Sequence, residues 1–216
     1  MTSQLEALES LRVIRSLMER AQIYRSISAP AALVGGGLAV TAGIVASLTR
    51  AGGFPVTPPG FLATWLVILA ITSAANFALL SREASRRSQP TVSEGMRMAL
   101  RAIVPPMGVG GLLGVGAVVL HGDMIMAATY WMLCYGLALL GTSSFSPRSL
   151  VRLGWTFLTM GATVFAILGL GNEALQTFLR SGHGASLVMG ASFGILHLLY
   201  AGCVLLGPKP DRTPLR

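Results

Sequence analysis

ISAPAALVGGGLAVTAGIVASLT, residues 27–49, contains no Asp, Glu, Lys or Arg. At 1.5 Å per residue a helix of this length crosses a hydrocarbon core ~30 Å thick. Five further runs have the same character: residues 61–80, 102–120, 124–141, 153–171 and 185–207. None carries an acidic, lysine or arginine side chain in its interior. Only a helix or a closed barrel satisfies its backbone in lipid, and continuous apolar runs of this length select the helix. The sequence therefore predicts an all-α polytopic membrane protein, a bundle of six transmembrane helices.

Composition agrees. The chain is 53% hydrophobic and 11% charged, against about a quarter charged for a soluble domain. Six spans leave only short connections, so residues 27–207 read as one membrane domain, flanked by residues 1–26 and a tail at 208–216. A net charge of +8 invites a nucleic-acid partner, but its distribution excludes one. Fourteen basic residues fall before span one (Arg12, Arg15, Arg20, Arg25), between spans two and three (Arg82, Arg86, Arg87, Arg97, Arg101), between spans four and five (Arg148, Arg152) and after span six (Lys209, Arg212, Arg216). The other three connections hold only Arg50 and Arg180. That alternation is the positive-inside pattern and places both termini in the cytoplasm. Arginine outnumbers lysine 15 to 1, which associates the chain with a G+C-rich bacterial genome and hence with a bacterial inner membrane. Cys134 and Cys203 both fall inside spans, which excludes a disulfide framework. The first apolar run follows a charged segment and precedes five others, so it reads as a span and not as a cleavable signal.

Residues 3–26, SQLEALESLRVIRSLMERAQIYRS, lack Gly and Pro and repeat apolar side chains every three or four positions from Leu5 to Tyr24. Ser3 and Glu6 form a capping box. The segment predicts an amphipathic helix at the cytoplasmic interface. Arg12, Arg15, Glu19 and Arg20 lie on its polar surface, ready for lipid headgroups or a partner. Ala31, Gly35, Ala39 and Gly43 make a small-residue row on span one, and Gly110 and Gly114 do so on span three. Such rows let helices approach closely. Pro105–Pro106 predicts a first-turn position or a kink in span three. His121-Gly122-Asp123 alone joins spans three and four, which must be a tight antiparallel pair. Leu175, Phe178 and Leu179 predict one or two helical turns lying on the outer surface.

Few side chains could carry chemistry. His197 stands mid-span, and an ionisable residue at that depth is a functional candidate. Ser186, Gly190, Gly194, His197 and Ala201 are spaced to share one face, which puts the ring in a helix–helix contact. No intramembrane carboxylate accompanies it, so the alternative is a neutral histidine bonded to a neighbouring helix. Thr72 and Asn76, one turn apart, and Tyr130 are candidates for a ligand or a helix–helix contact, and Trp131 and Tyr135 suit the bundle core. Cys134 and His197 fall at similar depth on spans four and six, where a thiol and imidazole could form a nucleophile and its base. Six spans with a nucleophile on the fourth and a histidine on the sixth resemble rhomboid intramembrane proteases. The Gly-x-Ser-x motif of that family is absent, because Leu133, Cys134 and Tyr135 stand there. His121, Asp123, Glu173 and His183 could meet outside the bilayer, but their spacing matches no metal signature, and a single intramembrane histidine rules out bis-histidine haem. No cofactor or metal is expected.

Three stretches together resemble a known group. They are LRVIRSLMERAQIYRSISAPAALVGG (11–36), MLCYGLALLGTSSFSPRSLVRLGWTFLTMG (132–161) and MGASFGILHLLYAG (189–202). In that order they resemble an uncharacterised family of small six-span integral membrane proteins of acidobacteria and related bacteria. The resemblance implies the topology and singles out Glu19, Arg20 and His197. It supplies no catalytic residues, since that family has no established activity. The reading that follows is a non-enzymatic sensing, assembly or regulatory module. Its expected partners are the lipid bilayer and a second copy or another membrane protein. The alternatives are a transporter or channel for a small neutral solute and an intramembrane hydrolase using Cys134 and His197.

Overall fold

A computed structural model describes residue 9, residues 29–86 and residues 94–206. The described residues are all-helical, with seven helices and no strands. They are α1 (Ala29–Ala51), α2 (Pro58–Arg86), α3 (Glu94–His121), α4 (Met124–Gly141), α5 (Arg148–Leu170), the short α6 (Glu173–Arg180) and α7 (Gly182–Leu206). All but α6 are long and apolar enough to cross a membrane. The interfacial helix expected over residues 1–26, with Arg12, Arg15, Glu19 and Arg20, and the tail at 208–216 lie outside the described residues, apart from the helical Glu9.

Successive long helices run in opposite directions. At one end Gly182 meets Val56 and Met124, and α6 caps that end. At the other end Gly141 meets Ala102, beside the arginines of α2, α3 and α5. α4 is the central helix. It packs closely against α3 on one side and α5 on the other, and touches α7. α1 packs on α2 and along the whole of α7. Polar caps fix the short connections. Asp123 accepts the Met126 N–H at 3.0 Å and starts α4. Asn172 accepts the Leu175 N–H at 2.8 Å and starts α6. Ser181 then ends α6 and starts α7, donating to the Phe178 carbonyl and accepting the Gly184 N–H.

The helices meet on small residues, as helices in lipid must when dispersion and hydrogen bonds replace the hydrophobic drive. A Cβ placed on Gly136 of α4 would stand 2.9 Å from both the Gly154 carbonyl oxygen and the Leu158 nitrogen of α5. Gly43 of α1 lies against the Cα of Gly190 on α7, and Gly36 against the Gly194 carbonyl. Gly35, in the same α1 row, serves a different partner: it receives the Thr72 side chain of α2. At the α6 end the Phe61 ring of α2 stacks on Trp131 of α4, 6.1 Å between centroids and 3° between planes. The rest of α2 turns outward. Its buried residues are Phe61 and Trp65, and Val67, Leu69, Ile71 and Phe77 are exposed, which is the pattern of a helix solvated by lipid.

The helices outrun their apolar stretches at the arginine-rich end. α2 continues to Arg86, α3 starts at Glu94 and α5 starts at Arg148. Hydrophobicity marks the hydrocarbon thickness, whereas the backbone ladder propagates until a cap or proline stops it. Pro105 and Pro106 accordingly sit inside α3 and not in its first turn.

Candidate functional site

The intramembrane polar centre is built on α7. Residues Gly190–Ile195 form a π turn, in which the Leu196 N–H reaches back to the Ala191 carbonyl. Single π turns inside α-helices concentrate at functional sites, because they re-aim the side chains beyond them. Here Gly190 and Gly194 face α1, and Leu198 lies on that same side against Gly36. His197 falls instead on the side of Phe193, one turn earlier, with the two rings 6.1 Å apart and 15° from parallel. The small-residue face read from the sequence therefore holds for Gly190 and Gly194 but not for the imidazole. The three-residue step from Gly194 turns the ring about 60° away, and that offset takes it off α1 and onto α4 and α5.

On that side His197 meets Tyr135 of α4 and Phe157 of α5, each ring 5.5 Å away between centroids. Tyr135, Phe157 and Phe193 also pack on one another at 4.8–5.4 Å. The Tyr135 hydroxyl and His197 Nε2 are 2.8 Å apart, a short hydrogen bond joining α4 to α7. The direction of the proton depends on the ring tautomer. His197 Nδ1 is buried without a hydrogen-bond partner. If the phenol donates to Nε2, the Nδ1–H has no acceptor. If Nε2–H donates, the Nδ1 lone pair and the phenol proton are left over. Either way a buried polar atom stays unspent, at a cost of about 1–3 kcal/mol.

Cys134 is not part of this centre. Its Cβ and Sγ lie 2.5 and 3.1 Å from where a Cβ on Gly110 would stand, so the thiol is turned to α3. Adjacent helical residues point 100° apart. With Tyr135 aimed at α7, Cys134 must aim elsewhere, and matched depth does not bring it to the imidazole. The thiol–imidazole pair of the hydrolase reading is not assembled. Thr72 is held between α1 and α2 with its hydroxyl oxygen buried and unpartnered, Asn76 is half-buried one turn on, and Tyr130 packs against the core. Thr72 and Asn76 lie on α2, and the Tyr135–His197 pair joins α4 to α7. The loop residues that could have met at a metal are used separately. Asp123 caps α4 and pairs with Arg180 at 3.6 Å, and His183 Nε2 lies 3.2 Å from the Phe54 carbonyl.

Sequence reasoning missed Phe157 and Phe193 as walls of the His197 site. Phe193 stands four residues before His197 and was within reach of the helical period, but the π turn and the α5 contact left no local mark. It also missed an open depression of about 510 Å³ at the α6 end, lined by Arg50, Phe54, Thr177, Phe178 and His183 among others. Neither Cys134 nor His197 borders it.

No family model, curated protein or solved structure matches the chain. The resemblance carried by residues 11–36, 132–161 and 189–202 thus assigns it to no family. The fold does define a class: six long apolar helices joined by short connections are the make-up of a multi-pass membrane protein.

Proposed function

We propose that this chain is a non-enzymatic module of a bacterial inner membrane, one that assembles with or regulates a partner within the bilayer, with both termini in the cytoplasm. The observation that carries the reading is the aromatic packing around the mid-span imidazole of His197, itself half-buried. Three aromatic rings and the Tyr135 hydroxyl surround His197, and the thiol that could have served as nucleophile faces another helix. A reacting group needs a nucleophile and oriented donors beside the base. A solute path needs a continuous polar stripe. The outward face of α2 remains available for a second copy or another membrane protein. Arginines on the helix extensions at one end support the orientation through the positive-inside rule.

Purification of the full chain from native membranes in mild detergent, with the mass of the particle measured directly, tests this. A complex of fixed stoichiometry, with a second copy or one recurring membrane protein, is expected. A bare monomer under conditions that preserve other membrane complexes contradicts the reading.

A further inference from the structure

The geometry points to a phospholipid site at the α6 end: the depression between the end of α1 and α6 binds the phosphate of an anionic headgroup. The connections at this end hold two arginines, Arg50 and Arg180. Arg180 pairs with Asp123 at 3.6 Å and does not line the depression. Arg50 makes no ion pair among the described residues, and its guanidinium lies 5.2 Å from the centre of the Phe178 ring. The ring holds the cation in place by cation–π attraction and leaves its N–H fork unspent. His183, with Nε2 at the Phe54 carbonyl, and Thr177, with an exposed hydroxyl, line the same depression. The guanidinium fork with the Thr177 hydroxyl beside it is a donor set matched to phosphate oxygens, while the His183 Nε2–H is already spent on the Phe54 carbonyl. Glu173 on α6 is exposed but does not line it.

Position decides which phosphate. Arg50 is the penultimate residue of α1, at the edge of the apolar run. It therefore sits at headgroup level, just beyond the ~30 Å hydrocarbon core. Phe54, which lines the depression, is 69% exposed and with Pro55 makes an apolar rim suited to a glycerol backbone and the start of acyl chains. α6 lies alongside with Leu179 buried and Leu175 exposed, as an interfacial helix does. A soluble anion would use the cation and leave that rim wet.

The test uses the full chain in nanodiscs of phosphatidylcholine with an equal share of phosphatidylglycerol, with lipid retention read by native mass spectrometry. Wild type is expected to retain phosphatidylglycerol selectively. Arg50→Gln should weaken retention about ten-fold, the loss of one charge-assisted contact. Phe178→Ala, which changes no charge, should weaken it several-fold and covers the case in which Arg50→Gln fails to fold. Arg180→Gln should retain lipid as wild type does. Unchanged retention in both Arg50→Gln and Phe178→Ala, or an equal loss in Arg180→Gln, overturns the site. Glycerol phosphate added to the detergent-solubilised protein distinguishes the source: thermal protection equal to that given by phosphatidylglycerol would overturn the lipid assignment.

Discussion

Replacing Gly136 by alanine should lower the stability of the folded bundle by about 1–3 kcal/mol, the range for overpacking a close-fitted interior, and replacing it by leucine should prevent the native fold. The neighbours of an added Cβ at this position are the Gly154 carbonyl and the Leu158 nitrogen, both 2.9 Å away and both backbone. No rotamer change can clear them, so α4 and α5 must separate. α4 is the helix on which α3, α5 and α7 all pack, and a shift there disturbs all three contacts. Gly108 supplies the control. Nothing lies within 4 Å of a Cβ built on it, and it sits within α3. Gly108→Ala should leave stability unchanged or raise it by up to about 1 kcal/mol, the helix-propensity difference. Unfolding of detergent-solubilised protein, followed by circular dichroism, measures both. Equal stability of the two alanine variants would show that α4 and α5 do not meet as described.

The second large effect concerns the bond between α4 and α7. Tyr135→Phe keeps the ring that packs on Phe157 and Phe193 and removes only the hydroxyl. It leaves both ring nitrogens of His197 buried without partners, and should cost about 1–3 kcal/mol. His197→Leu strands the Tyr135 hydroxyl and also loses the ring contacts. The double substitution removes both polar groups and should cost less than the sum of the singles. Hydrogen bonds between membrane helices average about 0.6 kcal/mol and reach about 1.7, so a coupling near 1 kcal/mol is expected. Strict additivity would mean that the 2.8 Å contact ties nothing together.

The six spans were legible in the sequence because each is an apolar run unbroken by charge, and that signal needs no tertiary knowledge. The helix α4, Met124–Gly141, spans the same residues as the apolar run 124–141, because Asp123 caps its start and the apolar run ends where the helix does. The boundaries of α2, α3 and α5 were read short at the arginine-rich end, since charged residues continue a helix into water without any change that hydrophobicity reports. The site was only partly legible. His197 announced itself as an ionisable residue in an apolar span, and Tyr135 as a core aromatic. Their pairing was not readable, because it depends on the rotation of α7 about its own axis. The spacing of Gly190, Gly194 and His197 fits a common face within the tolerance of a helical wheel, and one π turn with a three-residue step is enough to turn the ring toward another helix. The direction of the Cys134 side chain, toward Gly110 of α3, was not readable for the same reason: depth follows from residue counting, whereas azimuth follows from packing.

Six crossings in alternating direction, with the arginine-bearing end in the cytoplasm, are the claim on which the rest stands. Single cysteines at Ser144, Thr57 and Ser181, in a background with Cys134 and Cys203 replaced by alanine, test it with a membrane-impermeant thiol reagent on intact cells. Thr57 and Ser181 lie at the α6 end, and Ser144 lies in the turn between α4 and α5 at the other. Labelling of the cysteines at Thr57 and Ser181 is expected, with Ser144 labelled only after the membrane is opened. Labelling at Ser144 from outside, with protection at the other two, would contradict the orientation, and labelling of all three from outside would contradict the six alternating crossings themselves.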